Sequence, residues 1–146
     1  MQARVTTQVT ILARPADVFA YLIDLKRHFL WNPHLQSVSP QVLLKPGLKY
    51  KSSSLLMGVK VSGVNRVAKL IKERELEIEN DTGTLHYRVN YRLRPELDRT
   101  LLTCDTQVSG QNEAFAFAAP VLKMLARREL QADLQALKIA VEQHII

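Results

Sequence analysis

PVLKMLARRELQADLQALKIAVEQHI, residues 120–145, is the stretch whose reading decides the fold. Leu122, Leu125, Ala126, Leu130, Leu134, Leu137 and Val141 recur at steps of three and four, the spacing of one helical stripe. Lys123, Arg127, Arg128, Glu129, Gln131, Asp133, Gln135, Lys138 and Glu142 fall between them and are expected to face away. Pro120 suits a first helical turn, where its missing N–H is not needed. A helix of this length runs roughly 40 Å, longer than a small domain is wide. Its stripe must be covered, and the rest of the chain offers mostly strand-like segments. The expected class is therefore α+β, one long C-terminal helix held by a curved antiparallel sheet.

The composition agrees with this. A chain of 146 residues has the length of one ordinary domain, so residues 1–146 are expected to form a single unit. Hydrophobic content of 47% and charged content of 23% are those of a soluble globular protein. With one cysteine, Cys104, no internal disulfide can form, and nothing asks for an oxidising compartment. The first 15 residues alternate polar and apolar, unlike a signal peptide. No run approaches the roughly 20 apolar residues of a membrane span. A cytoplasmic location is expected. The net charge is +6, but the basic residues are scattered, with no block of like charges and no aromatic–basic interleaving. That reads as a solvated positive surface, and no nucleic-acid partner is expected.

Taken in order, residues 4–12 alternate as a first strand. Pro15, Asp17, Val18, Phe19, Leu22 and Ile23 make a short amphipathic helix. A second, broken helical piece spans 24–33 and ends at the tripeptide Trp31, Asn32, Pro33. Residues 35–44 read as an edge or bulged strand with Pro40 inside it, and 45–47 as a turn. Strands follow at 48–56, 59–71, 75–79, 84–93 and 99–109. Turns are expected at Met57 and Gly58, at 72–74, at 80–83 and at 95–98. Short connections make the sheet antiparallel, of about seven strands. No internal repeat or linker is seen.

ARPADVF at 13–19, then Asp24 and WNP at 31–33, resembles the opening of the polyketide cyclase/dehydrase and lipid-transport proteins, the START-like, Bet v 1-like (SRPBCC) superfamily. LQALK at 134–138, through Glu142, is similar to that family's helix end. The resemblance spans nearly the whole chain. It implies a helix-grip fold with a deep cavity between sheet and C-terminal helix. It does not select an activity, because members include carriers, cyclases and activator domains.

Strand parity then nominates the cavity wall. Leu85, Tyr87, Val89, Tyr91 and Leu93 are expected inside, with His86, Arg88, Asn90 and Arg92 outside. Leu48, Tyr50, Ser52, Ser54 and Leu56 share an inner face, as do Val59, Val61, Gly63, Asn65 and Val67. Leu102, Cys104, Thr106 and Val108 form the inner set of the last strand. Small polar residues beside Tyr50, Tyr87 and Tyr91 are the makeup of a small-molecule site, and Gly63 removes volume there. Waters and neighbours in a filled core would satisfy the same groups. On the helix side, Phe117, Val121 and Leu125 make a soft apolar wall. Trp31 is either a gate or a hydrophobic plug.

Motifs for chemistry are missing. There is no zinc-binding pattern, no phosphate-cradling glycine loop and no nucleophile elbow, so no metal or cofactor is expected. Cys104 reads as a small hydrophobe in a strand. His28 and His34 flank Trp31, either at a cavity mouth or as surface residues of a loop. No inward carboxylate or arginine can be placed, so no catalytic residue is assigned. Three functions stay open. The first is binding or carriage of a hydrophobic small molecule (lipid, isoprenoid or polyketide-like). The second is a cyclase or dehydratase with Tyr50, Tyr87 or Tyr91 as hydrogen-bond donors. The third is transient membrane-surface or partner contact through 114–122 with Arg127 and Arg128.

Overall fold

Alternation makes β1 (Gln2–Ile11), in which Val5, Thr7, Val9 and Ile11 are buried while Arg4, Thr6 and Gln8 are exposed. Pro15 opens α1 (Pro15–Ile23) with Asp17 in its first turn, and Val18, Phe19, Tyr21 and Leu22 are buried. The computed structural model describes the backbone of residues 2–56, 59–81, 85–110 and 113–145, and their side chains except at 2, 56, 59, 85, 110, 113–123, 125 and 145. The turns expected at Met57 and Gly58 and at Thr82 and Gly83 lie outside the described residues.

The remaining elements are α2 (His28–Trp31), β2 (Leu35–Ser39), β3 (Lys49–Leu56), β4 (Val59–Ile71), β5 (Glu75–Asp81), β6 (Leu85–Glu96), β7 (Arg99–Gly110) and α3 (Glu113–Ile145). The sheet has seven strands in the order β1-β7-β6-β5-β4-β3-β2, every pair antiparallel. α3 packs along β1 and against α1 and α2. Leu134, Leu137 and Val141 of α3 are buried in the same core as Phe19, Leu22, Trp31, Leu76 and Leu102. This is the helix-grip architecture.

Four local expectations are corrected. Helix over 24–33 shrinks to α2, because Pro33 disfavours helix at Asn32 and residues 25–27 form a turn. β2 stops at Ser39, before a cis peptide to Pro40, whose missing N–H cannot extend a ladder. β6 runs on to Glu96, which narrows the last turn to Leu97 and Asp98. α3 begins at Glu113, so Pro120 lies within the helix rather than in its first turn. The alanine-rich run of 114–119 favours helix strongly enough to carry it across the proline.

Both sheet edges are blunted against further pairing. β2 is only five residues long. On β1, Gln131 Nε2 donates to the Gln8 carbonyl (3.2 Å) and Lys138 Nζ to the Thr10 carbonyl (2.9 Å), so α3 covers that edge. At the C-terminal end of α3, His144 meets the Tyr21 ring edge-on with centroids 5.9 Å apart.

Gly63 has a different role from making room. A Cβ there would lie 2.7 Å from the Asp81 carbonyl oxygen and 3.0 Å from Asn80 Oδ1, so the residue allows β5 to approach closely. Gly63→Ala is expected to cost about 1–3 kcal/mol in urea unfolding, because backbone must move. Unchanged stability would rule out this close approach.

Candidate functional site

The register of the inner face stacks residues in rows. Tyr50, Asn65, Asn80, Tyr87 and Val108 form one row across β3 to β7. The next is Val67, Ile78, Val89, Thr106 and Val5. The bulge between Val67 and Lys69 then brings Leu70, not Lys69, into the row Leu70, Leu76, Tyr91, Cys104 and Thr7. The first and third rows are four residues apart on β6, about 13 Å. Two polar stations therefore flank a largely apolar band.

The first station satisfies itself. Asn80 Nδ2 donates to Asn65 Oδ1 (2.6 Å), and Asn65 Nδ2 donates to Ser52 Oγ (2.7 Å). Asn65 and Tyr50 are buried, and burial raises the Tyr50 phenol because it disfavours the phenolate. Asn80 Oδ1 is left without a partner. Parity places Ser52 and Asn65 on this face. Asn80 reads as a turn residue in the sequence and escapes that reasoning, although it stands two residues from buried Ile78 on β5.

The second station leaves polar atoms unpartnered. Trp31 is 2% exposed, packs against His28 with the rings tilted (4.9 Å between centroids) and meets Tyr91 edge-on (6.2 Å). Its Nε1 has no hydrogen-bond partner. Thr7 is 4% exposed and lies opposite Cys104, near enough to act on the thiol, yet its hydroxyl makes no hydrogen bond of ordinary geometry. The third unpartnered atom is Asp133 Oδ1 on α3. Asp133 lies on α3, which packs along β1 and against α2, the elements that carry Thr7 and Trp31.

Asp133 overturns the expectation that it faces solvent. It is half-buried, and burial followed by the nearby Glu129 charge pushes its carboxyl up to about 7. The spacing already holds the signal: Asp133 stands three residues after Leu130 and four before Leu137, inside the apolar stripe. Burial likewise pushes the Cys104 thiol up to about 11, and the Tyr91 phenol goes well up for the same reason. Cys104 is thus a neutral wall residue and a poor nucleophile at neutral pH. Its Sγ is 3.8 Å from Thr106 Oγ1, also buried.

Other candidates fall elsewhere. Ser54 and Val61 face each other, half-buried, farther along the β3–β4 hairpin, away from Tyr91. Tyr87 and Val89 are half-buried on the inner face, and burial raises the Tyr87 phenol. The side chains of Phe117, Val121 and Leu125 lie outside the described residues, as do all those of the expected contact segment 114–122. His28 is not a surface residue: it is buried and its Nε2 donates to the Leu22 carbonyl at 2.7 Å, so it braces Trp31 structurally. Among the described residues, no group of three His, Cys, Asp or Glu gathers into a metal site. None of their helices is long and apolar enough to cross a membrane.

The outer face is a mesh of charges. Arg66 Nη2 (2.7 Å) and Arg88 Nη2 (3.1 Å) both reach Glu79, Asn90 bridges Glu75 and Glu77, and Arg4 holds Asp105 in a two-point ion pair. These contacts hold Asp105 and Glu79 below the usual carboxylate range, the first through Arg4 and the second through Arg66.

Known proteins of this shape share the arrangement of sheet and helices. The Zhui aromatase/cyclase from Streptomyces superposes with TM-score 0.83 at 17% identity, covering 100% of this chain and 97% of that one. A START superfamily protein from Mycobacterium smegmatis gives 0.80 at 18% identity, covering 96% and 97%. The Thermus thermophilus protein TTHA0849 gives 0.83 at 16% identity, covering 97% and 99%. At such identities the likeness speaks for the fold. No curated protein matches the chain. The sequence profile described as polyketide cyclase / dehydrase and lipid transport matches residues 2–142, which is nearly the whole helix-grip unit from β1 into the last turns of α3. By that match and by its fold, this chain belongs to the polyketide cyclase/dehydrase and lipid transport family.

Proposed function

We propose that the protein binds a hydrophobic small molecule between the inner face of the sheet and α3, with the ligand's polar end at the Trp31, Tyr91 and Asp133 station. The observation that carries this reading is the set of three buried polar atoms, Thr7 Oγ1, Trp31 Nε1 and Asp133 Oδ1, left without partners on elements that pack together. Buried polar atoms are nearly always paired, so a set of orphans at one place favours an external partner. Family membership supports the same conclusion. Apolar burial against Val67, Ile78 and Val89 supplies affinity at about 25 cal/mol per Å². The lone buried, free Cys104 suits a reducing, cytoplasmic setting.

Native mass spectrometry of purified protein, followed by organic extraction, tests this directly. A stoichiometric apolar adduct is expected. Trp31 is the only tryptophan, so titration with apolar dyes should change its emission. An empty protein whose Trp31 emission ignores every dye would remove the reading.

One observation favours a second reading, cyclase or dehydratase chemistry in the same cavity. Asp133 offers a carboxyl poised near neutral pH as an acid–base group, and the Tyr91 phenol a hydrogen-bond donor. Under that reading, Tyr91→Phe abolishes turnover of the extracted molecule's precursor and leaves binding within a few-fold.

A further inference from the structure

We propose that the polar end of the ligand is a neutral hydroxyl (alcohol, phenol or enol) and that Asp133 excludes anionic head groups such as fatty carboxylates. This deepens the ligand-binding reading above and rests on it.

Donors and acceptors at the open station set what can bind there. Trp31 Nε1–H only donates, so what sits against it must carry an accepting oxygen. An ionised Asp133 Oδ1 only accepts, so the same partner must also donate. A hydroxyl does both with one atom, whereas a ketone answers Trp31 alone. A carboxylate also answers Trp31 alone, and it meets the ionised Asp133 as a like charge.

An anion would need a compensating cation, and the described interior has none. Every described Lys and Arg side chain is at least partly exposed. Arg88 and Arg92 point to the outer face, and Lys138 is engaged by the Thr10 carbonyl and Glu142. His28 is committed to the Leu22 carbonyl, and burial lowers its pKa. The groups acting on Asp133's end are Tyr91 from β6, Cys104 and Thr7 from β7 and β1, and Glu129 from α3 itself. Tyr91 and Cys104 remain protonated between pH 5.5 and 8, whereas Asp133 changes charge there.

The test uses a naphthol and the naphthoate of the same ring system, titrated into the full chain and followed by Trp31 emission and calorimetry. At pH 8 the naphthol is expected to bind about tenfold tighter or better, a difference of about 1.4 kcal/mol. Asp133→Asn, close to isosteric, should bring the two within about threefold. A second arm needs no variant: in the wild type, lowering the pH from 8 to 5.5 protonates Asp133 while the naphthoate stays charged, and the preference should shrink. Equal binding at pH 8, tighter naphthoate binding, or a preference untouched by both Asp133→Asn and pH would overturn the proposal while leaving the hydrophobic-ligand reading standing. Binding of neither probe overturns both.

Discussion

Leu137→Ala is expected to destabilise the protein by about 2–5 kcal/mol, the range for deleting a fully buried leucine side chain and leaving part of its volume empty. Leu137 has no exposed surface and sits between Leu134 and Val141, also buried, where α3 meets the sheet and the two short helices. For a chain of this size the melting temperature should fall by roughly 5–15 °C. Ile139, two residues on and 55% exposed, is the control, and its truncation should change stability by no more than about 0.5 kcal/mol. Equal losses at the two positions would mean that α3 is not gripped through this stripe. Because Leu137 faces the core, an apolar ligand is expected to recover part of the loss by occupying the space. Ligand binding to the folded state also raises its stability by mass action.

The second large effect is a pH dependence with an unusual sign. Asp133 has its carboxyl raised in the folded protein from an ordinary 3.8 to about 7. Its folded form holds the proton more tightly than the unfolded chain does, so stability is greatest below the unfolded value and is lost as pH rises through about 7. The displacement corresponds to a ceiling of ~4 kcal/mol, and the carboxyl's partial exposure brings the expected loss between pH 5 and 8 to roughly 2 kcal/mol. Asp133→Asn should remove this slope, so the variant gains on the wild type at pH 8 and gains little or nothing at pH 4. Asp105, Glu75 and Glu79 work in the opposite sense. Their carboxyls are lowered, by Arg4, Asn90 and Arg66 first, so what they contribute is lost as pH falls through the acidic range. Urea unfolding at several pH values separates the two. A wild-type slope identical to that of Asp133→Asn between pH 5 and 8 would rule out the buried carboxyl.

Much of the architecture is legible without coordinates. Periods of two and of three to four residues are imposed by the backbone, so Val5, Val9 and Ile11 announce a strand and Leu134, Leu137 and Val141 a helix face without reference to the rest of the chain. Tyr87, Val89, Tyr91, Cys104 and Thr106 fall on the inner face for the same reason. Boundaries are less legible, because they depend on competition: an alanine-rich run against Pro120, or a ladder against the missing N–H of Pro40.

Which inner polar groups are satisfied and which are left over depends on tertiary structure alone. Ser52 and Asn65 look as available as Thr7 in the sequence, yet the register hands them to each other and to Asn80. Thr7, Trp31 and Asp133 come from β1, α2 and α3, more than 100 residues apart between the first and the last, and nothing local marks them as neighbours. Asp133 reads as a solvated charge on its own helix. It becomes a half-buried carboxyl near neutrality because α3 packs along β1 and against the two short helices, and desolvation is a property of what packs around a group rather than of the group itself.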